Sequence, residues 1–79
     1  MKPKKKYEKN NYIDRLIVEY RELKKRYDLL HLTIIKYKSG TLEFKLTCPI
    51  ELLEKQACYM GNYLQILEIR LEMEKLLWH

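Results

Sequence analysis

Residues 13–37 read IDRLIVEYRELKKRYDLLHLTIIKY, and this stretch decides the fold. Its apolar residues alternate at spacings of three and four, which is the heptad a/d pattern of coiled-coil packing. The eight positions are Ile13, Leu16, Tyr20, Leu23, Tyr27, Leu30, Ile34 and Tyr37. Charged residues fill most positions between them, which indicates a solvent-facing surface. Because Gly40 suits the left-handed residue that follows a helix, we expect a first helix over residues 11–38.

Pro49 and the residues after it predict a second helix. Proline is favoured at the first helical position because its missing N–H would have no partner there. The same spacing then recurs in Ile50, Leu53, Ala57, Met60, Leu64, Leu67 and Leu71. We therefore expect a second helix over residues 49–77 and a link over residues 39–48. The predicted fold class is all-α: an antiparallel two-helix hairpin over residues 11–79 with a heptad-spaced core.

The link leaves one alternative open. Leu42, Phe44 and Leu46 alternate with polar residues, so a β-hairpin over residues 32–46 competes with the helical version. We favour the helix because the heptad continues without a slip and because an isolated two-stranded hairpin is only marginally stable. The three apolar link residues are then expected to cover one end of the helical hairpin.

The second helix carries a further apolar set that one partner helix cannot cover. This set is Leu52, Tyr59, Tyr63, Ile66, Met73 and Leu77. An apolar surface of this width would be exposed in a solitary hairpin, and a core this small rarely supplies more than roughly 3–5 kcal/mol. We therefore expect these residues to form the interface of a homo-oligomer. Partial cover by the N-terminal segment or the link is the alternative.

The net charge of +5 is concentrated at the N-terminus. Residues 1–9 hold five lysines and one acid, whereas the remaining charges nearly balance. Since a short lysine cluster is usually solvated, we expect residues 1–10 to be a basic, flexible arm. A more specific interpretation of these lysines is an arm that binds the phosphates of a nucleic acid or a nucleotide.

Several function classes lack their characteristic residues. No apolar run approaches the ~20 residues that span a bilayer, and no apolar segment of a secretory signal follows the lysines. We therefore expect a cytoplasmic protein, without a membrane partner and with Cys48 and Cys58 reduced. Neither these cysteines nor His31 and His79 have the paired spacing of metal ligands, so no metal or other cofactor is expected. No catalytic motif is recognisable, and enzyme activity is not expected.

Binding chemistry has better support than catalysis. The chain contains seven tyrosines, whose faces can stack nucleobases, while lysine and arginine can hold phosphates. Tyr20 and Tyr27 occupy heptad positions, and their simpler interpretation is core packing. The candidate ligand-binding residues are Lys9, Tyr12, Arg15 and Lys24. Direct nucleic-acid recognition is disfavoured because neither helix has a continuous basic face.

Residues 12–70 carry a family resemblance. Its most specific part is the cadence Leu52-Leu53-Glu54-Lys55-Gln56, Met60, Tyr63-Leu64 and Leu67-Glu68-Ile69-Arg70. In these residues the chain resembles a small phage protein family first noted in crAss-like phages. The resemblance implies a phage or prophage origin and work inside a bacterial host cell. It implies no catalytic residues.

A second likeness concerns organisation. The chain is similar in organisation to anti-CBASS cyclic-nucleotide sponge proteins. These proteins also pair a tyrosine-bearing first helix with a second helix that contains leucine, methionine and a late arginine. They form oligomers that trap signalling nucleotides between subunits. This likeness implies a non-enzymatic phage counter-defence protein that sequesters a nucleotide immune messenger between its subunits. Its expected partners are its own copies and a cyclic nucleotide. The alternative function is a helical interaction module that inhibits or adapts a host or phage protein.

Overall fold

The computed structural model describes residues 2–75, with side chains in residues 11–75. These residues form two α-helices and no strand: α1 spans Lys2–Ser39 and α2 spans Ile50–Met73. The predicted all-α fold and its two-helix organisation are therefore confirmed. Assembly into a homo-oligomer stays a prediction.

Three contacts between the helices establish that they run antiparallel. The contacts are Lys38–Glu54 near the link, Tyr27–Gly61 midway, and Tyr12–Arg70 at the far end. Earlier residues of α1 thus meet later residues of α2, as in a hairpin. We refer to the end with the Tyr12–Arg70 contact as the open end, because no link joins the helices there.

Helix α1 begins at Lys2, nine residues before the predicted start at residue 11. Pro3 lies in the first turn, where its missing N–H breaks no helical hydrogen bond. The lysines that follow are good helix formers, so their charge does not prevent a helical backbone. The expected mobility of the basic arm stays a prediction.

Gly40 ends α1 as predicted, with a φ of 77°. Its N–H donates to the carbonyl of Tyr37 at 3.2 Å, and the N–H of Thr41 donates to the carbonyl of Lys36 at 2.9 Å. This pair of bonds is the Schellman motif, which satisfies carbonyls that the helix itself leaves without partners. The helix therefore stops at Ser39, one residue beyond the predicted end.

The link between the helices contains no strand, so the β-hairpin alternative for residues 32–46 is wrong. Leu42 and Leu46 are half-buried, as expected of residues that cover one end of the hairpin. Phe44 is instead 62% exposed, and its predicted covering role is wrong. Alternating residues share one side only when the backbone is a regular strand, and this link is irregular, with a turn at Gly40 and two short bends.

Pro49 is the N-cap of α2 rather than its first helical residue, so the helix begins at Ile50, one residue after the predicted start. Its backbone is extended, with φ −64° and ψ 145°, and its carbonyl accepts the N–H of Leu52 at 3.1 Å. At the other end, Lys75 adopts a φ of 60°, which is incompatible with a continuing right-handed helix. The last helical residue is therefore Met73 rather than residue 77.

The core is built from leucines of both heptad stripes. Its buried cluster is Leu16, Leu23, Leu64, Leu67 and Leu71, and the half-buried residues packed against it are Ile17, Tyr20, Tyr27 and Met60. The interpretation of Tyr20 and Tyr27 as core residues is confirmed. Because this cluster joins the first half of the predicted α1 stripe to the last half of α2, the best-packed part of the hairpin lies toward its open end.

Candidate functional site

Helix α2 exposes an apolar face along most of its length. The residues of this face are Leu52, Tyr59, Tyr63, Ile66 and Met73, which are between 43% and 76% exposed. They are five of the six predicted interface residues, and the sixth, Leu77, lies outside the described residues. The predicted exposure of the set in a single hairpin is therefore confirmed for the described chain. The role of this face as an oligomer interface stays a prediction.

The surface formed by residues 11–75 includes two open grooves. One, of about 440 Å³, is part of the α2 face and is lined by Leu52, Lys55, Gln56, Tyr59 and Met60. The other, of about 330 Å³, lies on α1 and is lined by Asn11, Asp14, Arg15, Val18 and Glu19. Each groove is formed by one helix alone. Neither encloses a ligand in the way that a pocket with facing walls would.

The open end of the hairpin brings an arginine onto a tyrosine. Nη2 of Arg70 donates a hydrogen bond to the hydroxyl of Tyr12 at 2.7 Å, and the guanidinium carbon lies 5.7 Å from the centre of the ring. This hydrogen bond raises the pKa of Arg70, and the nearby carboxylates of Glu19 and Glu74 also raise it. The contact therefore places a permanent cation beside an aromatic ring that is itself 41% exposed.

Arg15 lies beside the Tyr12–Arg70 contact on the surface of α1. It follows Tyr12 by three residues on α1, so the two side chains are neighbours on the helix surface. Within the described side chains, neither Arg15 nor Arg70 forms a salt bridge with a carboxylate. Two of the predicted ligand-binding residues, Tyr12 and Arg15, thus lie together with Arg70 at the open end.

Lys24 does not join them within one chain. It lies about 18 Å further along α1 from Tyr12, and about a third of a turn around it. Its ammonium is 3.0 Å from Oδ1 of Asp28, and this hydrogen bond raises the pKa of Lys24. The side chain of Lys9, the remaining predicted ligand-binding residue, lies outside those that the structure describes.

Sequence reasoning missed Arg70 as a site residue. The available signal was its position three residues after Leu67 and one before Leu71, which places it on the edge of the core stripe. That position indicates proximity to α1 but not to a particular residue. Identifying Tyr12 as the neighbour requires the register between the helices, which the sequence pattern does not define.

A second apolar set was also missed, this time on α1. Its exposed members are Val18, Leu29, Leu32 and Ile35. The first three are separated by eleven and three residues, which places them on one side of a helix. They fall outside the heptad core positions, so a search restricted to that pattern passes over them.

The histidine and cysteine side chains of the described chain lie apart from the Tyr12–Arg70 contact. His31 is exposed and stacks on Tyr27, with ring centres 5.9 Å apart and planes 8° from parallel. Both Cys48 and Cys58 are free; Cys48 is half-buried and Cys58 is exposed. In residues 11–75 no group of three or more metal-ligating side chains comes together. Neither described helix is long and apolar enough to cross a membrane.

Residues 10–73 match the model of the Sequestin family. The chain belongs to the Sequestin family. The Sequestin match includes Tyr12, Arg15 and Arg70, and it begins one residue after Lys9. The family name indicates a sequestering role, which agrees with the coarser part of the functional expectation. Comparisons with curated proteins and with solved structures gave no significant match.

Proposed function

We propose that this Sequestin-family chain is a non-enzymatic phage counter-defence protein that works in the bacterial cytoplasm. It sequesters a nucleotide immune messenger, such as a cyclic nucleotide, in pockets between the subunits of a homo-oligomer. The observation that carries this proposal is the exposed apolar face of α2, which extends along the helix to the region of the Tyr12–Arg70 contact. The family name supports the sequestering part of the proposal.

The residues at the open end suit the chemistry of a nucleotide. A nucleotide combines a flat base with anionic phosphates, and proteins bind these parts with aromatic faces and with arginine. Tyr12 offers a half-exposed ring, while Arg15 and Arg70 offer guanidinium groups that no described carboxylate pairs. Neither of the two described grooves contains all three side chains.

In this proposal, a second subunit provides the pocket walls that a single hairpin lacks. A small-molecule site usually buries roughly 70–90% of its ligand, and the open grooves on α1 and α2 do not achieve that in one hairpin. A second subunit laid on the α2 face would cover Tyr59, Tyr63 and Ile66 and would at the same time wall off the open end. Burial of the apolar face would therefore provide the free energy that assembles the pocket.

Calorimetry tests this proposal directly. The protein is titrated with cyclic di- and trinucleotides, and its assembly is measured by light scattering in the same buffer. We expect at least one of these ligands to bind with a fixed stoichiometry per oligomer and to be recovered chemically intact after the complex is heat-denatured. The absence of heat with every ligand at high micromolar concentration would contradict the proposal, as would conversion of the ligand to a product.

The second candidate function is a helical interaction module that inhibits or adapts a host or phage protein. The observation that favours it is the same exposed apolar face of α2, which a host or phage protein would cover in place of a second copy. This candidate predicts a monomer–dimer equilibrium rather than a closed oligomer. It also predicts a co-purifying protein that is lost with Tyr63→Asp or Ile66→Asp.

A further inference from the structure

Arg70 differs from the other described cations of the hairpin in its burial and its pairing. Among the described side chains only two cations are half-buried, Lys24 and Arg70, while the others are exposed. Lys24 is paired with Asp28 at 3.0 Å, whereas Arg70 forms no salt bridge with any carboxylate of residues 11–75. A cation that is partly withdrawn from water interacts more strongly with an anion than an exposed one does. Arg70 is therefore the cation at which an anionic ligand would gain most.

The geometry of the Tyr12–Arg70 contact leaves both residues able to bind. Arg70 uses Nη2 for the tyrosine hydroxyl, and the rest of its guanidinium fork keeps N–H donors for a phosphate. The guanidinium carbon is 5.7 Å from the ring centre, close to the ~6 Å limit of a cation–π contact. It therefore lies toward the hydroxyl end of the ring and does not cover a ring face closely.

The tyrosine has a second capacity. Its hydroxyl oxygen accepts the hydrogen bond from Arg70, so its own O–H remains a donor. A phosphate oxygen near the guanidinium can accept this hydrogen as well. The ring face and the O–H donor together favour a ligand that carries a flat base beside an anionic group.

We infer that Arg70 is the phosphate-binding residue of the site and that Tyr12 stacks the adjoining base. The ligand class is a small nucleotide with a phosphodiester, and Arg15 provides a second, exposed cation one turn along α1. This inference rests on the proposed function and assigns its chemistry to particular residues. It removes Lys24 from the site, because that ammonium is paired with Asp28 and lies at a different level of the helix.

Glu19 offers an internal check on this assignment. Its carboxylate is close enough to raise the pKa of Arg70, and it is half-buried on the same helix as Tyr12. A carboxylate in that place repels an incoming phosphate. Removing its charge should therefore strengthen binding if the phosphate sits at the open end beside Arg70, and should leave binding unchanged if the phosphate sits near Lys24 or the link.

The test measures dissociation constants for cyclic di-AMP, cyclic GMP–AMP and cyclic tri-AMP by calorimetry. We expect Arg70→Gln to weaken the best ligand by about tenfold to a hundredfold, and Arg70→Lys to weaken it less. Tyr12→Ala is expected to weaken binding by roughly fivefold or more through lost stacking, whereas Glu19→Gln is expected to strengthen it about twofold to fivefold. Lys36→Gln, which removes one exposed charge near the link, serves as the matched control and should change affinity by less than about twofold.

Three further ligands separate the possible results. Inorganic phosphate alone and adenosine alone should each bind far more weakly than the intact ligand, and an octauridine RNA that competed with it would overturn the small-nucleotide assignment. Unchanged affinity in Arg70→Gln would overturn this inference while the proposed function stands. Absence of binding by the wild type would overturn both. If Arg70→Gln alters helicity or assembly, the sign of the Glu19→Gln effect decides, and no gain in affinity there contradicts the assignment.

Discussion

The ring of Tyr27 on α1 lies against Gly61 on α2, with its Cε1 atom 3.5 Å from the position that a Cβ of residue 61 would occupy. That distance is an ordinary van der Waals contact, so a methyl group fits without moving the ring. Glycine within a helix costs about 1 kcal/mol relative to alanine. We therefore expect Gly61→Ala to increase the free energy of unfolding by about 0.5–1 kcal/mol, measured by urea denaturation.

The matched control for that substitution is Gly40→Ala, for which the opposite sign is expected. A Cβ at Gly40 would meet no atom within 4 Å, but the backbone φ there is 77°. A left-handed conformation costs a residue with a Cβ roughly 1–2 kcal/mol, so unfolding should become easier by about that amount. Equal effects of the two alanines would contradict this account of both glycines.

Leu67 and Ile66 are neighbours with opposite environments. Leu67 is fully buried, whereas Ile66 is 55% exposed. Leu67→Ala should cost about 2–5 kcal/mol through lost contacts and a residual cavity, which is comparable to the whole stability of a scaffold of this size. Ile66→Ala should retain the helical signal in circular dichroism under the same conditions. A hairpin that tolerates Leu67→Ala without loss of thermal stability would refute the assigned core.

The apolar face of α2 can be tested by introducing a charge at its centre. Tyr63→Asp and Ile66→Asp each place a carboxylate on the exposed side of α2, where a monomer tolerates it and a packed interface does not. We expect a lower mass in light scattering with unchanged helicity. The control is Gln65→Asp, an exposed residue between them that is not part of the apolar face. Unchanged assembly in both face variants would exclude this face as the interface.

Deleting residues 1–9 separates nucleotide binding from nucleic-acid binding. The deleted segment contains five lysines and precedes the Sequestin match, which begins at residue 10. We expect the shortened chain to keep its affinity for a cyclic nucleotide within about threefold, since Tyr12, Arg15 and Arg70 remain. A nucleic-acid binder would instead lose its salt-dependent affinity. Loss of cyclic-nucleotide binding on this deletion would show that the deleted segment, which contains Lys9, contributes to the site.

The heptad spacing was sufficient to predict the fold because each helix repeats its core position many times. The predicted helix ends were close where a local signal existed, as at Gly40 with its left-handed backbone. The N-terminal start was missed since lysine has two properties, charge that favours solvation and a backbone preference that favours helix. For Phe44, alternation over a short link did not define a strand.

The candidate site was only partly predictable from the sequence. Tyr12 and Arg15 belong to one helix, and their proximity follows from their spacing. The contact between Tyr12 and Arg70 spans 58 residues of sequence and depends on how far one helix is shifted along the other. Two heptad stripes can pair in several shifts that differ by whole repeats, and only the structure distinguishes among them.

The contact between Tyr12 and Arg70 closes the end of the hairpin at which no peptide connects the helices. A ligand bound by both side chains would hold the two helices together, since the helices could not separate at this end without releasing the ligand. Ligand binding would then slow cleavage by proteases that act on locally unfolded helix ends. The dissociation rate of the ligand would be set by the rate at which the two helices separate at the open end. Retention time, rather than catalytic speed, is the quantity that such an arrangement controls.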